Sequence, residues 1–524
     1  MGYKPRHRAV SAGGGHPLIG TSRSTVVRVV QSSVASFLVS GLIGLIILPH
    51  VLTHIGAEEY GVWVTLAAIV SVGQLVGNGM AVEITRRVAS AYGDRDEEGL
   101  ITAVREGTTV LLVVAVGIVG ISILVARSLV LALFPSTVAS ALPGLPFLLM
   151  AVAGLVGIQL VVGGLVGALT GLQRGDLANW SAIAAAFCSG GMLISGLYLG
   201  LGIWSLLVAD GVQMLVYYCG SLLAIRRVMP MVRLGLSRIS VRRLGQFAVA
   251  PLGLVVSSAA VLFDSQVDKV ILSATVGPSA AAVFQIGTTL ALAGRSFAVA
   301  PLTVLVAGTA ELIHQRARLE ILESVAVPLS QCIAAVTAGG FVLFAGSFIP
   351  LWIGPDYHGA ILSMRIMAVA TGISMWNGPW SQYLAGRGKY SYIAITAGVI
   401  VVLNAACSAL LTTRIGLDGA LIGSVAGSAG GALTGWLLVR RVEERPWFRP
   451  VVRAFVPIIG LTAAAAFVLP GRIESWWGLI VASLGYAAIG FAVLAATGAL
   501  PLRIVVRMVA ERFLNLTHGS VEPR

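Results

Sequence analysis

Charge is scarce in this sequence: charged residues make up only 11% of its 524 residues, whereas 57% are hydrophobic. A soluble domain carries about 25% charged residues, so this composition excludes a water-soluble globule. Cysteine is scarce as well, and its four residues (Cys188, Cys219, Cys332 and Cys407) all lie in apolar stretches, which excludes a disulfide framework. The apolar stretches recur from one end to the other and predict an all-α, multi-pass membrane protein.

Two further absences narrow the range of functions. The sequence contains no GxxxxGK[ST] phosphate-binding loop and no room for a nucleotide-binding domain. The longest predicted external loop, about 126–143, contains one Arg and no His or carboxylate. We therefore expect neither an ATP-driven pump nor an enzyme. We also expect no resident cofactor or metal, and no nucleic-acid partner.

The apolar stretches predict about fourteen transmembrane helices, because a bilayer core of roughly 30 Å needs about 20 apolar residues per helix. The predicted spans are 30–52, 60–82, 107–133, 144–171, 179–199, 203–225, 247–275, 279–311, 324–350, 358–385, 390–412, 417–439, 451–470 and 476–500.

The basic residues give the orientation, because Lys and Arg accumulate on the cytoplasmic side of membrane proteins. A cytoplasmic N-terminus places 29 of the 35 Lys and Arg on the cytoplasmic side. Both termini are then cytoplasmic. Three basic residues lie on the external side of the membrane (Arg127, Arg414 and Arg472), and three lie within spans (Lys269, Arg295 and Arg365).

A weak internal repeat divides the chain into two halves with the same orientation. Similar segments recur in order at offsets of 213 to 221 residues: 55–63 with 276–284, 150–154 with 367–371, 174–175 with 387–388, and 200–201 with 416–417. Six spans separate the partners, so the repeat is parallel and predicts two six-helix lobes around a central cavity, plus two C-terminal helices. The predicted parts are a cytoplasmic tail (1–25), an N-lobe (26–228, spans 1–6), a basic cytoplasmic linker (229–245), a C-lobe (246–440, spans 7–12), spans 13–14 (441–500) and an amphipathic cytoplasmic C-terminus (501–524).

The segment LTHIGAEEYGVW, residues 52–63, resembles the LG-x-E-x-YG-x-W segment that opens the second span of bacterial polysaccharide (O-antigen-type) flippases. These are lipid-linked oligosaccharide exporters of the multidrug/oligosaccharidyl-lipid/polysaccharide exporter superfamily. Supporting segments are EITRR at 83–87, RG at 174–175 and DKVIL at 268–272, and the resemblance covers roughly residues 25–440.

The resemblance implies a non-enzymatic flippase that works by alternating access. Its substrate would be an undecaprenyl-pyrophosphate-linked oligosaccharide, moved from the inner to the outer leaflet of the bacterial cytoplasmic membrane. The partners implied are the lipid-linked glycan, the bilayer and glycan-assembly membrane proteins.

Fourteen spans, instead of the family's usual twelve, leave two alternatives in the same superfamily. Lipid II flippases also have fourteen spans, but their arginine-rich segments with Asn and Pro are absent from this sequence. A cation-coupled multidrug extruder is the other alternative, and intramembrane arginines argue against it because its substrates are cations.

Arg295 is the first candidate for binding substrate phosphate, since a guanidinium can contact phosphate oxygens through two hydrogen bonds. It lies about 24 Å along its predicted helix, well within the membrane. The alternative is an arginine held by a carboxylate or by helix carbonyls for packing. Arg365, roughly two turns from the outer end of its span, is a second candidate, although snorkelling to the headgroups would also explain it.

Asp264, Asp268 and Lys269 belong to the densest polar cluster within a predicted span. The two carboxylates share a helix face, and both cannot stay ionised in low dielectric without a cation, so they are candidates for H⁺ or Na⁺ coupling. Lys269 is a candidate for binding phosphate or for pairing. The alternative is an ion-paired external vestibule without a transport role. Tyr60 and Trp63 are expected to be interfacial anchors or lobe contacts.

Overall fold

The computed structural model describes an all-helical chain that contains no β-strand in the residues it covers. Twelve helical stretches of that part are long and apolar enough to cross a membrane. The predicted all-α, multi-pass membrane fold is therefore confirmed. The described residues are 23–134, 138, 142, 144–230, 266–311, 316–387, 389–442, 448–468 and 473–501.

The helices follow the predicted spans in order. Spans one and two form a single bent element, and span seven is described only over its last ten residues, 266–275. The helices are α1 Arg23–Gly93, α2 Glu97–Leu133, α3 Leu145–Gly171, α4 Gly175–Tyr198, α5 Trp204–Val228, α6 266–275, α7 Pro278–Glu311, α8 Arg316–Ile353, α9 His358–Ser374, α10 Gly378–Gly386, α11 Tyr390–Ile415, α12 Leu417–Val442, α13 Phe448–Val468 and α14 Trp476–Ala496.

α1 turns back on itself at Gly56, whose φ of 74° and ψ of 174° are not helical. Asn179 donates a hydrogen bond of 3.0 Å to the hydroxyl of Ser32, and the Thr85 hydroxyl donates one of 3.0 Å to the carbonyl of Gly167. Gly167 and Asn179 flank the short connection between α3 and α4. Both ends of α1 therefore lie on the same side of the molecule, as two antiparallel spans require.

Arginines mark that side of the molecule, which we call the basic side. Arg86 and Arg87 lie near the end of α1, Arg174 precedes α4, and the last turns of α5 and α12 carry Arg226–Arg227 and Arg440–Arg441. We call the side on which Gly56 lies the opposite side.

Glycines matched by the sequence repeat all have a positive φ. Gly56 and Gly277 have φ values of 74° and 124°, and Gly200 and Gly416 have φ values of 75° and 62°. This region of φ strongly favours glycine, because it has no Cβ. Equivalent turns therefore recur in α1–α5, the N-lobe, and in α6–α12, the C-lobe, which agrees with the predicted repeat.

Span ten is broken, although the sequence analysis expects one continuous helix over 358–385. α9 ends at Ser374, a 3₁₀ turn follows over Met375–Asn377, and α10 begins at Gly378. The cause is Pro379, which has no N–H to donate to the carbonyl of Met375 four residues earlier. Two other groups donate to that carbonyl: the N–H of Gly378 and, at 2.9 Å, the buried side-chain amide of Gln331 in α8.

The two C-terminal spans, α13 and α14, pack against α8. The Thr462 and Tyr486 hydroxyls share a hydrogen bond of 2.8 Å, and a Cβ added to Gly339 would lie 2.2 Å from the Tyr486 hydroxyl. The Tyr486 ring also meets Phe344 edge-on, with centroids 5.9 Å apart. Spans 13 and 14 therefore cover one face of α8, whose other faces meet α7 and α9.

The lobes meet on the opposite side through α1, α7 and the end of α8. Leu48 and Leu52 of α1 form one buried cluster with Ile286 and Leu290 of α7. Tyr60 packs both against this cluster and against the core of the N-lobe, so it is a lobe contact. Trp63 is 8% exposed within the N-lobe core, so it is not an interfacial anchor.

Candidate functional site

The first candidate site is a cleft between α7, α8 and α9 that contains Arg295. α7 and α8 approach closely there, since a Cβ on Gly294 would lie 2.7 Å from the Phe341 ring. The cleft encloses about 10 Å³, roughly the space of one water molecule. The residues that line it are Ala291, Gly294, Arg295, Ala298, Ala334, Thr337, Ala338, Phe341, Thr371, Gly372 and Met375.

Arg295 therefore lies beside the break in span ten, because Met375 of the 3₁₀ turn lines the same cleft. Its side chain is half-buried. Interrupted helices within a membrane leave backbone groups free to meet a ligand, which is how several transporters build their binding sites. The cleft thus combines a cation, the hydroxyls of Thr337 and Thr371, and an irregular backbone segment.

Arg365 of α9 reaches the same turn of α8 from the neighbouring position. Its Nε donates a hydrogen bond of 3.1 Å to the carbonyl of Val342, which directly follows Phe341. The rest of the side chain is exposed. Val342 lies eleven residues before the end of α8, or about 16 Å along the helix. From there the guanidinium extends toward the opposite side, since a Cβ on Gly346, one turn nearer the end of α8, would lie 3.3 Å from Nη2 of Arg365.

The second candidate site is the buried carboxylate of Asp268. It is 0% exposed and accepts hydrogen bonds from Asn404 at 3.1 Å, Ser408 at 2.7 Å and Ser424 at 2.8 Å. α6, α11 and α12 meet around it, and glycines allow this approach: a Cβ on Gly423 would lie 2.0 Å from the Ser408 hydroxyl. The alternative expected from the sequence is an ion-paired external vestibule, whereas Asp268 is fully enclosed.

Lys269 is nearly buried and is held within its own helix. Its Nζ donates a hydrogen bond of 2.7 Å to the side-chain oxygen of Gln266. It does not line the cleft of Arg295, so these two candidate phosphate ligands do not share one site in the described structure. Both alternatives for Lys269, binding of phosphate and pairing, stay predictions. Asp264 lies outside the described residues.

The sequence analysis did not identify the residues that surround these side chains. Asn404, Ser408 and Ser424 lie 136 to 156 residues from Asp268. A signal was present, because Asn404 and Ser408 are four residues apart within an otherwise apolar stretch and so share a helix face. Gln331, which supports the break beside Arg295, gave a similar signal.

A charged cluster on the basic side joins α1 to α2. Glu83 is 5% exposed and accepts hydrogen bonds from Arg86 at 2.7 Å and Arg87 at 2.8 Å, and Arg87 lies 4.0 Å from Glu106. The hydrogen bond from Arg86 lowers the pKa of the Glu83 carboxyl more than burial raises it. Glu83, Arg86 and Arg87 belong to a segment, 83–87, that supports the family resemblance, and the cluster fixes the end of span two against α2.

Comparison with known proteins identifies the fold. No family model and no curated protein matches the sequence. Among solved structures, the lipid II flippase MurJ in an inward closed conformation matches with a TM-score of 0.68 and 14% identity, over 91% of this chain and 100% of that one. An inward-facing multidrug resistance MATE family transporter of the MOP superfamily matches with a TM-score of 0.56 and 17% identity, over 80% and 97% of the two chains. A eukaryotic MATE transporter matches with a TM-score of 0.55 and 15% identity, over 83% of this chain and 99% of that one. The chain therefore shares the fold of these transporters and flippases.

Proposed function

We propose that the protein is a flippase that moves an undecaprenyl-pyrophosphate-linked oligosaccharide across the cytoplasmic membrane of a bacterium by alternating access. The observation that carries the proposal is the position of two arginines against neighbouring parts of α8: Phe341 lines the cleft of Arg295, and Arg365, which does not line that cleft, donates to the carbonyl of Val342. An intramembrane arginine costs at least about 2.5–3.5 kcal/mol, so two arginines within spans require a compensating role. A pyrophosphate offers anionic oxygens to both.

The orientation follows from the arginines of the basic side, which we assign to the cytoplasm together with both termini. The described lobe contacts then close the external side. Substrate enters from the cytoplasmic leaflet, the pyrophosphate binds to Arg295 and Arg365, and the lobes rock to release it outside. Lys269 does not share this site, so we no longer assign it to the substrate. Membrane proteins of glycan assembly are the expected partners.

We assign cation coupling to Asp268, with H⁺ or Na⁺ as the coupling ion. The carboxylate and its three partners all carry oxygen atoms, which are the ligands that hard cations prefer. Among the described residues a single carboxylate faces the three polar side chains, and its one negative charge suits a monovalent cation. A cation here joins α6 to α11 and α12 and thereby couples ion binding to the packing of the C-lobe.

Lipid II is the second candidate substrate, favoured by the extent of the likeness to MurJ, which spans 91% of the chain. Extrusion of organic cations, suggested by the multidrug MATE structures, is opposed by the two arginines, because like charges repel in a low-dielectric cleft.

The test is flipping of a fluorescent undecaprenyl-pyrophosphate oligosaccharide in proteoliposomes. Arg295→Ala and Arg365→Ala should each slow flipping at least about tenfold, as expected for the loss of a hydrogen bond to a charged group. Arg414→Ala, an exposed arginine in the last turn of α11, is the matched control and should flip at the wild-type rate. Wild-type flipping by Arg295→Ala at equal protein content would reject the site. If the protein moves lipid II and not the oligosaccharide, it is a lipid II flippase. If it moves an organic cation instead, it is a multidrug extruder.

A further inference from the structure

One hydrogen bond joins the two lobes where they meet. The indole Nε1 of Trp352, next to the last residue of α8, donates to the backbone carbonyl of Leu45 in α1 at 2.7 Å. The two residues are 307 positions apart in the chain, and Trp352 is 9% exposed. A backbone carbonyl inside a helix normally has its own donor four residues later, so this interaction needs an explanation.

Pro49 supplies the explanation. It lies four residues after Leu45 within α1 and has no N–H, so the carbonyl of Leu45 has no helical donor. Within a membrane an unsatisfied carbonyl is costly, and it must find another partner. Trp352 of the other lobe supplies that partner, so the proline in α1 creates an acceptor that the C-lobe satisfies.

The donor is held in place by its neighbours. The Phe348 ring lies 5.2 Å from the Trp352 ring, and Trp476 of α14 meets Phe348 edge-on at 5.9 Å. The hydrogen bond also marks the boundary of the tight lobe contact. Exposure changes along the face of α1 to which Leu45 belongs. Leu52 is 4% exposed and Leu48 is 8% exposed. Nearer the basic side, Leu38 is 43% exposed and Val34 is 53% exposed.

We propose that the bond between Trp352 and Leu45 is a latch that holds the lobes together on the opposite side and that opens when this side opens. The inference rests on the alternating access of the proposed function. In the closed state the indole satisfies the carbonyl freed by Pro49, and after the lobes separate water takes its place. Trp352 and Pro49 are therefore coupled positions, although they belong to different lobes.

The test measures the separation of the lobes in lipid nanodiscs by spin labels on the opposite side. The labels are attached at Glu58→Cys and Asp356→Cys, two exposed positions on different lobes, after replacement of the exposed Cys188 and Cys219 by Ser. Trp352→Phe keeps the ring and removes the donor. It should shift the ratio of closed to open populations roughly 3- to 10-fold toward open, as expected for one hydrogen bond.

Two further variants distinguish the latch from simple packing. Trp380→Phe removes a buried indole N–H that has no partner among the described residues, so it should leave the ratio unchanged. Pro49→Ala returns an N–H to α1 without adding bulk. It should shift the ratio part of the way toward open and reduce the effect of Trp352→Phe at least by half.

The latch is wrong if Trp352→Phe and Trp380→Phe give the same ratio, or if Trp352→Phe has an equal effect in the wild-type and Pro49→Ala backgrounds. The distance measurement needs no substrate. A failure of the latch is therefore distinguishable from a failure of the proposed function, which the flipping rate of Arg295→Ala tests separately.

Discussion

Three ionisable side chains at membrane depth have hydrogen bonds with uncharged groups. Asp268 accepts from one amide and two hydroxyls, Lys269 donates to Gln266, and Arg365 donates to a backbone carbonyl. The sequence shows which ionisable residues lie in spans, because each is conspicuous in an apolar stretch. It does not show their partners, because those lie on other helices and are chosen by how the helices pack.

Asp268→Asn tests the proposed coupling site, since it removes the charge and nearly keeps the shape. The serine hydroxyls can reverse their roles and accept from the new amide, so the protein should stay folded. We expect flipping to lose its dependence on Na⁺ or on pH, whichever the wild type has, measured in proteoliposomes with imposed ion gradients. Asp418→Asn, an exposed carboxylate in the first turn of α12, should keep that dependence. An unchanged ion response in Asp268→Asn would remove the assignment.

Glu83 gives a prediction about pH, because its pKa is lower in the folded protein than its usual value near 4.5. A carboxyl with a lowered pKa stabilises the fold above pH 4.5. This contribution is lost as the pH falls through the pKa that Glu83 has in the folded protein. Glu83→Gln should therefore lower the free energy of unfolding by about 1 kcal/mol at pH 7. The effect is modest because Arg86 is largely exposed. The cost should shrink as the pH is lowered below 4.5. Thermal unfolding in detergent at several pH values measures it, and a cost independent of pH would contradict the charge interaction.

At the scale of the helix, the sequence predicts which segments are spans and much less how each span is interrupted. Hydropathy identifies every described helix, since an apolar stretch of about 20 residues has few alternatives in a bilayer. The break at Met375–Asn377 is different. Many membrane helices accept a proline without breaking, as α7 does at Pro301 and α8 at Pro328. Whether a proline ends a helix depends on a partner such as Gln331, which lies on another element.

Gln331→Leu tests that dependence. It removes one of the two donors to the carbonyl of Met375, the other being the N–H of Gly378, and should lower the free energy of unfolding by about 0.5–1.5 kcal/mol, measured by thermal unfolding. In a Pro379→Ala background the helix supplies its own N–H, and the same substitution should cost much less. Equal costs in the two backgrounds would mean that Gln331 acts through packing and not through this hydrogen bond.

At the scale of the molecule, the repeat predicts two similar lobes, and the matched glycines all have a positive φ. The repeat does not predict how the lobes touch, because α1 and α7 come from its two different copies. The structure shows an unusually close contact at this point. A Cβ added to Gly61 would lie 1.8 Å from the carbonyl oxygen of Pro278, the first residue of α7.

Gly61→Ala should therefore force the lobes apart on the opposite side, since the backbone of α7 cannot yield as a flexible side chain can. Overpacking of this kind typically costs about 1–3 kcal/mol. Because the contact exists only while this side is closed, the substitution destabilises the closed state and not the open one. Spin labels at Glu58→Cys and Asp356→Cys should show a larger open population, and flipping should slow because the cycle loses its closed state. Gly44→Ala, in the same helix but with open space around its Cβ position, should behave like the wild type. Equal distance distributions in the two alanine variants would show that the lobes do not need to separate at Gly61 for this side to open.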